Sequence, residues 1–199
     1  RKAMKVREDL RMNDFRDTIM QEAERRGGVD SRAGFEFLTQ YTLADVPMEE
    51  SMREYIDGLG WELNAGVTSC GDPIFVCGGG PGQFVNIILA TSYDSVRDFI
   101  VAIFVMRQLQ LDILSRTHGR VVKTVLMMTN FLSGGWKFLL PGPHTNLPRL
   151  WAGLTRVHTG HYRAAHIILE SWTMRNSIST LLFVFPPSVS EIVTIHSAD

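Results

Sequence analysis

Five short apolar runs, each closed off by glycine, proline or polar residues, constrain this chain most: residues 73–77, 84–90, 121–128, 165–169 and 191–196. Runs of this length between such punctuation read as buried strands. Helical patterns separate them. Residues 94–114 place Val96, Phe99, Ile100, Ile103 and Met106 on the inner side of one long helix. Further on, Leu147, Leu150, Trp151, Leu154 and Val157 recur at helical spacing, with Asn146 positioned as a cap and Pro148 in the first turn. Residues 172–185 read as a very apolar helix. Strands alternating with helices predict an α/β fold built on a mixed or parallel sheet.

Before that pattern the chain is different in kind. Residues 1–66 are densely charged and read as helices, the first ending at Gly27-Gly28 and the next capped by Asp30-Ser31. Met48, Met52, Tyr55, Ile56 and Leu59 mark the apolar face of a third. The expected organisation is an N-terminal helical module, residues 1–66, followed by a sheet domain, residues 67–199.

Composition narrows the function classes. With 45% apolar and 21% charged residues, the 199-residue chain is not mainly disordered. Lys plus Arg number 20 against 21 Asp plus Glu. Nucleic-acid binders carry a basic excess, so no nucleic-acid partner is expected. Two cysteines, Cys70 and Cys77, build no disulfide framework and match no metal or redox spacing, which points to a reducing cytoplasm. Cys77 reads as a small buried hydrophobe. No apolar run reaches the ~18–20 residues of a membrane span. The chain begins at Arg1 with neither an initiator methionine nor an apolar leader, and so reads as a piece of a longer protein.

Motifs for chemistry are sparse. Gly78-Gly-Gly-Pro-Gly82 follows a strand as a phosphate-binding loop does, but Gln83 and Phe84 stand where lysine and a hydroxyl residue are needed. Pro81 removes an amide donor, and with residues 84–90 read as a strand no helix is expected to start there. The loop therefore reads as a turn. His158, His161, His166 and Glu170 form the one cluster with metal-ligand chemistry, without zincin spacing. A structural or surface role is the simpler account. Neither a nucleophile elbow nor a working carboxylate pair is present, so no catalytic residue is assigned and no enzyme is expected. No metal or cofactor is expected either.

The second half instead carries a surplus of large adaptable side chains, among them Met127, Met128, Phe138, Trp151, Trp172 and Phe183. They either fill a core or line a cavity, and ligand cavities are mostly apolar. Residues 178–185, between Arg175-Asn176 and Pro186-Pro187, suit a hinged apolar lid that partitions into a bilayer interface when open.

These segments, in this order, resemble the CRAL-TRIO lipid-binding family. Phe35-Glu-Phe-Leu38 and Ala44-Asp-Val46, with a helix ending near Trp61, resemble its N-terminal helical region. Gly71-Asp-Pro-Ile-Phe-Val76 resembles its Gly-Arg-Pro-Val strand. Residues 119–128, followed by Leu132-Ser-Gly134, resemble the strand and loop after its long helix. Residues 158–172 fall where the family carries Tyr-Pro-Glu and Asn-Ala-Pro, and residues 172–185 take the place of its gate helix. The order spans most of residues 33–196. The departures are specific. His158-Thr159-Gly160 and Leu169-Glu170-Ser171 replace the two family motifs, Thr39-Gln40-Tyr41 replaces the usual basic residues, and Met128-Thr129-Asn130 lacks the usual acidic one.

The resemblance implies a mechanism that is physical rather than chemical. A sheet floor and helices enclose a phosphoinositide or other lipid, and the gate helix swings to exchange it at a membrane surface. Met127, Trp172, Ile178, Leu181, Leu182 and Phe185 are the expected lipid-binding residues. The location implied is cytoplasmic with peripheral membrane contact. Two alternatives stay open: a protein-interaction scaffold that has lost lipid exchange, and a metal-dependent enzyme using His158, His161, His166 and Glu170.

Overall fold

A computed structural model describes residues 2–128, 140–169, 175, 176, 179, 182 and 187–197. The described part of the chain is an α/β protein with a five-stranded mixed sheet. It opens with α1 (Lys2–Asp9), α2 (Met12–Arg25), α3 (Arg32–Thr39) and α4 (Glu50–Ile56), then β1 (Trp61–Val67) and β2 (Pro73–Cys77). Helices α5 (Pro81–Ala90) and α6 (Tyr93–His118) lead to β3 (Thr124–Met128), and α7 (Leu147–His158) leads to β4 (Tyr162–Leu169). A short α8 (Pro187–Ser190) precedes β5 (Val193–Ser197).

The strands lie side by side in chain order. β1 runs antiparallel to β2, and β2, β3, β4 and β5 are parallel. Parallel neighbours joined in one direction by right-handed crossovers carry their connecting helices on the same face. The buried core agrees: it joins Trp61, Phe75 and Cys77 of the sheet to Phe84 of α5, Phe99 and Ile103 of α6, and Leu150 and Leu154 of α7. Trp61 is its hub, with ring centroids 5.5 Å from Phe75, 5.4 Å from Phe84 and 6.0 Å from Phe99. Phe37, Leu38 and Tyr41 from the N-terminal helical region belong to the same core.

Helix α6 is the spine. Ser92 Oγ accepts the Ser95 amide at 3.1 Å, Asp94 sits in the first turn, and Arg116 and His118 sit in the last, where they complement the helix dipole. Gly119, at φ 62°, closes the helix in the left-handed conformation that glycine adopts without strain. Its middle, from Phe99 to Arg107, is buried on every side.

The first helix expected before Gly27-Gly28 is two, because Arg11 at φ 53° breaks the chain between α1 and α2, and two further segments differ from the reading of the sequence. Residues 84–90, expected as a strand, belong to α5. Phe84, Val85, Ile87 and Ile88 are buried while Asn86 and Leu89 are exposed, a helical spacing, and Pro81 occupies the first turn. Residues 61–66, read with the helical region, belong to β1, where Trp61 and Leu63 are buried and Glu62 is exposed. Both changes bear on the glycine loop, since a helix does begin there. The loop is nevertheless shaped by packing. The Gly78 amide donates to the Gly60 carbonyl at 2.9 Å, and a Cβ at Gly78 would stand 2.5 Å from that oxygen. One at Gly79 would meet the Leu59 carbonyl at 2.8 Å. Only glycine allows this backbone crossing.

Candidate functional site

The two faces of the sheet follow from the two-residue alternation of the strands. Register sets Phe75, Leu126, Ala165 and Val193 side by side on the helix-covered face. It sets Val76, Met127, His166 and Thr194 side by side on the other. One row over on that second face lie Ile74, Val125 and Ala164, and beyond the histidine row lie Ile168 and His196. Ile74, Val76, Met127 and Ile168 are half-buried, and none of them joins either cluster of described core residues. The second face is thus an apolar strip crossing β2 and β3 and continuing in β4 as Ala164 and Ile168 on either side of His166, with Thr194 and His196 following at β5.

Of the residues expected to line a cavity, Met127 stands at the centre of this strip. Leu182 is half-buried. Trp172, Ile178, Leu181 and Phe185 lie outside the described residues. Ile74, Val76, Ala164 and Ile168 were not anticipated as neighbours of Met127. Their signal was the alternation within 73–77 and 165–169, which becomes a face only once the register is known.

The four-membered histidine and glutamate cluster does not assemble as read. His158 ends α7 and meets His161 in the turn that follows, Nδ1 to Nδ1 at 3.2 Å. His166 points to the second face and meets His196 of β5, Nδ1 to Nε2 at 3.1 Å. Glu170 lies outside the described residues. Among the described residues no three His, Cys, Asp or Glu side chains converge as a metal-holding group. His196 was missed because its partner is 30 positions away in sequence and adjacent only through β4–β5 pairing.

The two histidine pairs have different surroundings. His158 is 2% exposed and packs on the Phe104 ring at 5.3 Å. Burial, with His161 and Arg7 adding to it, pushes its imidazole down to about 3, so it is neutral across the physiological range. Burial also lowers His161, and Asp112 partly opposes that shift. By contrast His166 is half-buried and His196 exposed.

Two buried polar centres hold the frame around the sheet. Asp72, fully buried, accepts Arg120 Nη1 at 3.0 Å, Arg163 Nε and the Lys123 amide at 3.4 Å. Burial pushes its carboxyl up, but donation from Arg120 and Arg163 outweighs this and keeps it below the ordinary carboxylate value. The group ties together the starts of β2, β3 and β4. On the helical side Arg107, 5% exposed, donates to Gln110 Oε1 and the Leu63 carbonyl and lies over the Phe75 ring at 5.2 Å. Gln110 in turn donates to Asn64 Oδ1 at 2.6 Å and to the Thr39 carbonyl. Helix α6 is thereby locked to β1 and to the end of α3. The Cys77 thiol is buried on this side and pushed up by burial, as a small hydrophobe would be.

No family model matches this chain, and the comparisons with curated proteins and with solved structures found no match. No helix among the described residues is long and apolar enough to cross a membrane.

Proposed function

We propose that this chain binds a hydrophobic lipid against the second face of its sheet and transfers or presents it at membranes, as the resemblance to the CRAL-TRIO family implies. One observation carries the reading: an apolar strip through Ile74, Val76, Met127 and Ile168 on the face opposite the helical core. Parallel sheets are covered on both faces, so this strip requires an apolar cover. An acyl chain supplies one, at about 0.8 kcal/mol per buried CH₂. Leu182 and the expected lining residues 172, 178, 181 and 185 would complete the enclosure as a gate.

Native mass spectrometry of the purified chain, with lipid extracted from the same sample, tests this. The expected result is a co-purifying lipid at near-equimolar ratio, its occupancy falling roughly tenfold or more in Met127→Asp, because an unpaired carboxylate in an apolar site costs several kcal/mol. A folded, lipid-free chain that takes up nothing from phosphatidylcholine and phosphoinositide vesicles would overturn it and leave the scaffold reading.

A further inference from the structure

On the second face, beside Thr194, His166 of β4 meets His196 of β5 across the strand pair. Their ring nitrogens approach to 3.1 Å, with centroids 5.3 Å apart and planes inclined by 34°. Two nitrogens bound to one ion at Zn–N distances of about 2.0–2.1 Å stand roughly 2.9–3.3 Å apart in cis-octahedral to tetrahedral geometry. The observed spacing falls inside that interval. The same convergence that holds one shared proton can hold one metal ion.

We propose that His166 and His196 form a two-imidazole site for a late first-row transition-metal ion, with water completing its coordination. Two features favour this pair over His158 and His161, whose nitrogens are 3.2 Å apart. His196 is exposed, so an ion has a path to it, whereas His158 is sealed beneath Phe104. At the first pair Arg7 faces both imidazoles and Lys123 faces His161, with the Asp112 carboxylate opposing them there, so charge does not decide between the pairs and exposure and register do. Register also fixes the second pair, since β4 and β5 hold the two residues on one face through backbone pairing. Imidazole donors suit zinc and copper, and Cu²⁺ is the tightest divalent ion of the series for such ligands. The inference does not rest on the lipid reading, and a lipid-free chain should bind metal.

Isothermal titration of the untagged chain with ZnCl₂ at neutral pH, followed by electron paramagnetic resonance of the Cu²⁺ form, tests the site. We expect one equivalent to bind, and nitrogen hyperfine structure from two imidazoles. His166→Gln and His196→Gln should each weaken binding by at least the 10–100-fold that loss of an outer-shell partner already produces. His161→Gln should leave it unchanged. Should His166→Gln perturb the fold by circular dichroism, the exposed His196 variant decides. Absence of a saturable equivalent, binding retained in His196→Gln, or binding lost in His161→Gln would each overturn the proposal.

Discussion

The two faces of the sheet are made from the same strands, yet they solve different problems. The first face meets helices α5, α6 and α7 through Trp61, Phe75 and Cys77 in the main core, and Ile167 and Leu169 of β4 form a second cluster on it with Val193 and Ile195 of β5. The second offers Ile74, Val76, Met127 and Ile168, no less apolar, in half-buried rows that join no described core. Apolarity alone therefore does not distinguish a folding surface from a binding one. What separates them is the direction of the crossovers, which sends the described connecting helices to one side. The histidines obey the same division: His158 is buried on the helical side with His161 half-buried beside it, and His166 and His196, half-buried and exposed, stand on the second face.

Substitution should separate the faces by magnitude. Phe99→Ala, at the fully buried centre of α6, is expected to lower unfolding free energy by about 3–5 kcal/mol in denaturant titration. An effect below that of a typical second-face variant would break the comparison. Asp72→Asn, which serves both faces through three strands, should cost on the order of 2–4 kcal/mol, discounted for the partial exposure of Arg120 and Arg163. Its pH dependence has a definite sign. Because the folded carboxyl lies below its unfolded value, the stabilisation is complete above about pH 4 and disappears as pH falls through the folded value.

The buried histidine gives a second pH signature in another window. His158 stays neutral in the folded chain down to about 3, while the unfolded chain takes up a proton near pH 6.5. Stability should therefore fall on acidification from about 6.5, approaching one proton's slope of roughly 1.4 kcal/mol per pH unit, and His158→Gln should flatten it. Urea midpoints at pH 7.5, 6.0 and 5.0 would read this, and an unchanged slope in the variant would refute it. The smallest effect belongs to the second face. Met127→Asp, the variant that should empty the lipid site, is expected to change unfolding free energy by no more than about 1 kcal/mol, since its position is half-buried. A loss as large as that of Phe99→Ala would make Met127 a core residue.

Much of the frame was legible in the residues. Residues 94–114 were read as a helix and form the interior of α6, and residues 73–77 were read as the strand that β2 is. Residues 121–128, 165–169 and 191–196 each overlap a strand, because short apolar runs between breakers carry their own signal. Residues 84–90 misled because a run apolar on nearly every position has no period to read, and the informative residue was Pro81, outside it. Trp61 and Leu63 alternate with Glu62 and Asn64, but the glycines at 58, 60 and 66 masked the strand as a fraying helix. At the site, Met127 was singled out while its neighbours were not, and His196 had no local mark at all. Cross-strand adjacency is a property of register, and a single chain does not write register in any one segment.

The side-by-side order of β1 to β5 has a consequence for how the molecule comes into being. Each strand pairs with the edge of the strand before it in sequence, and no strand has to be inserted between two others. The first 128 residues carry three paired strands, α6, the Arg107 bond from α6 to Leu63 of β1 and the Gln110 bond to Thr39 of α3. The two strands that carry His166 and His196 are added last, at the growing edge. The chain order thus places the scaffold ahead of the site.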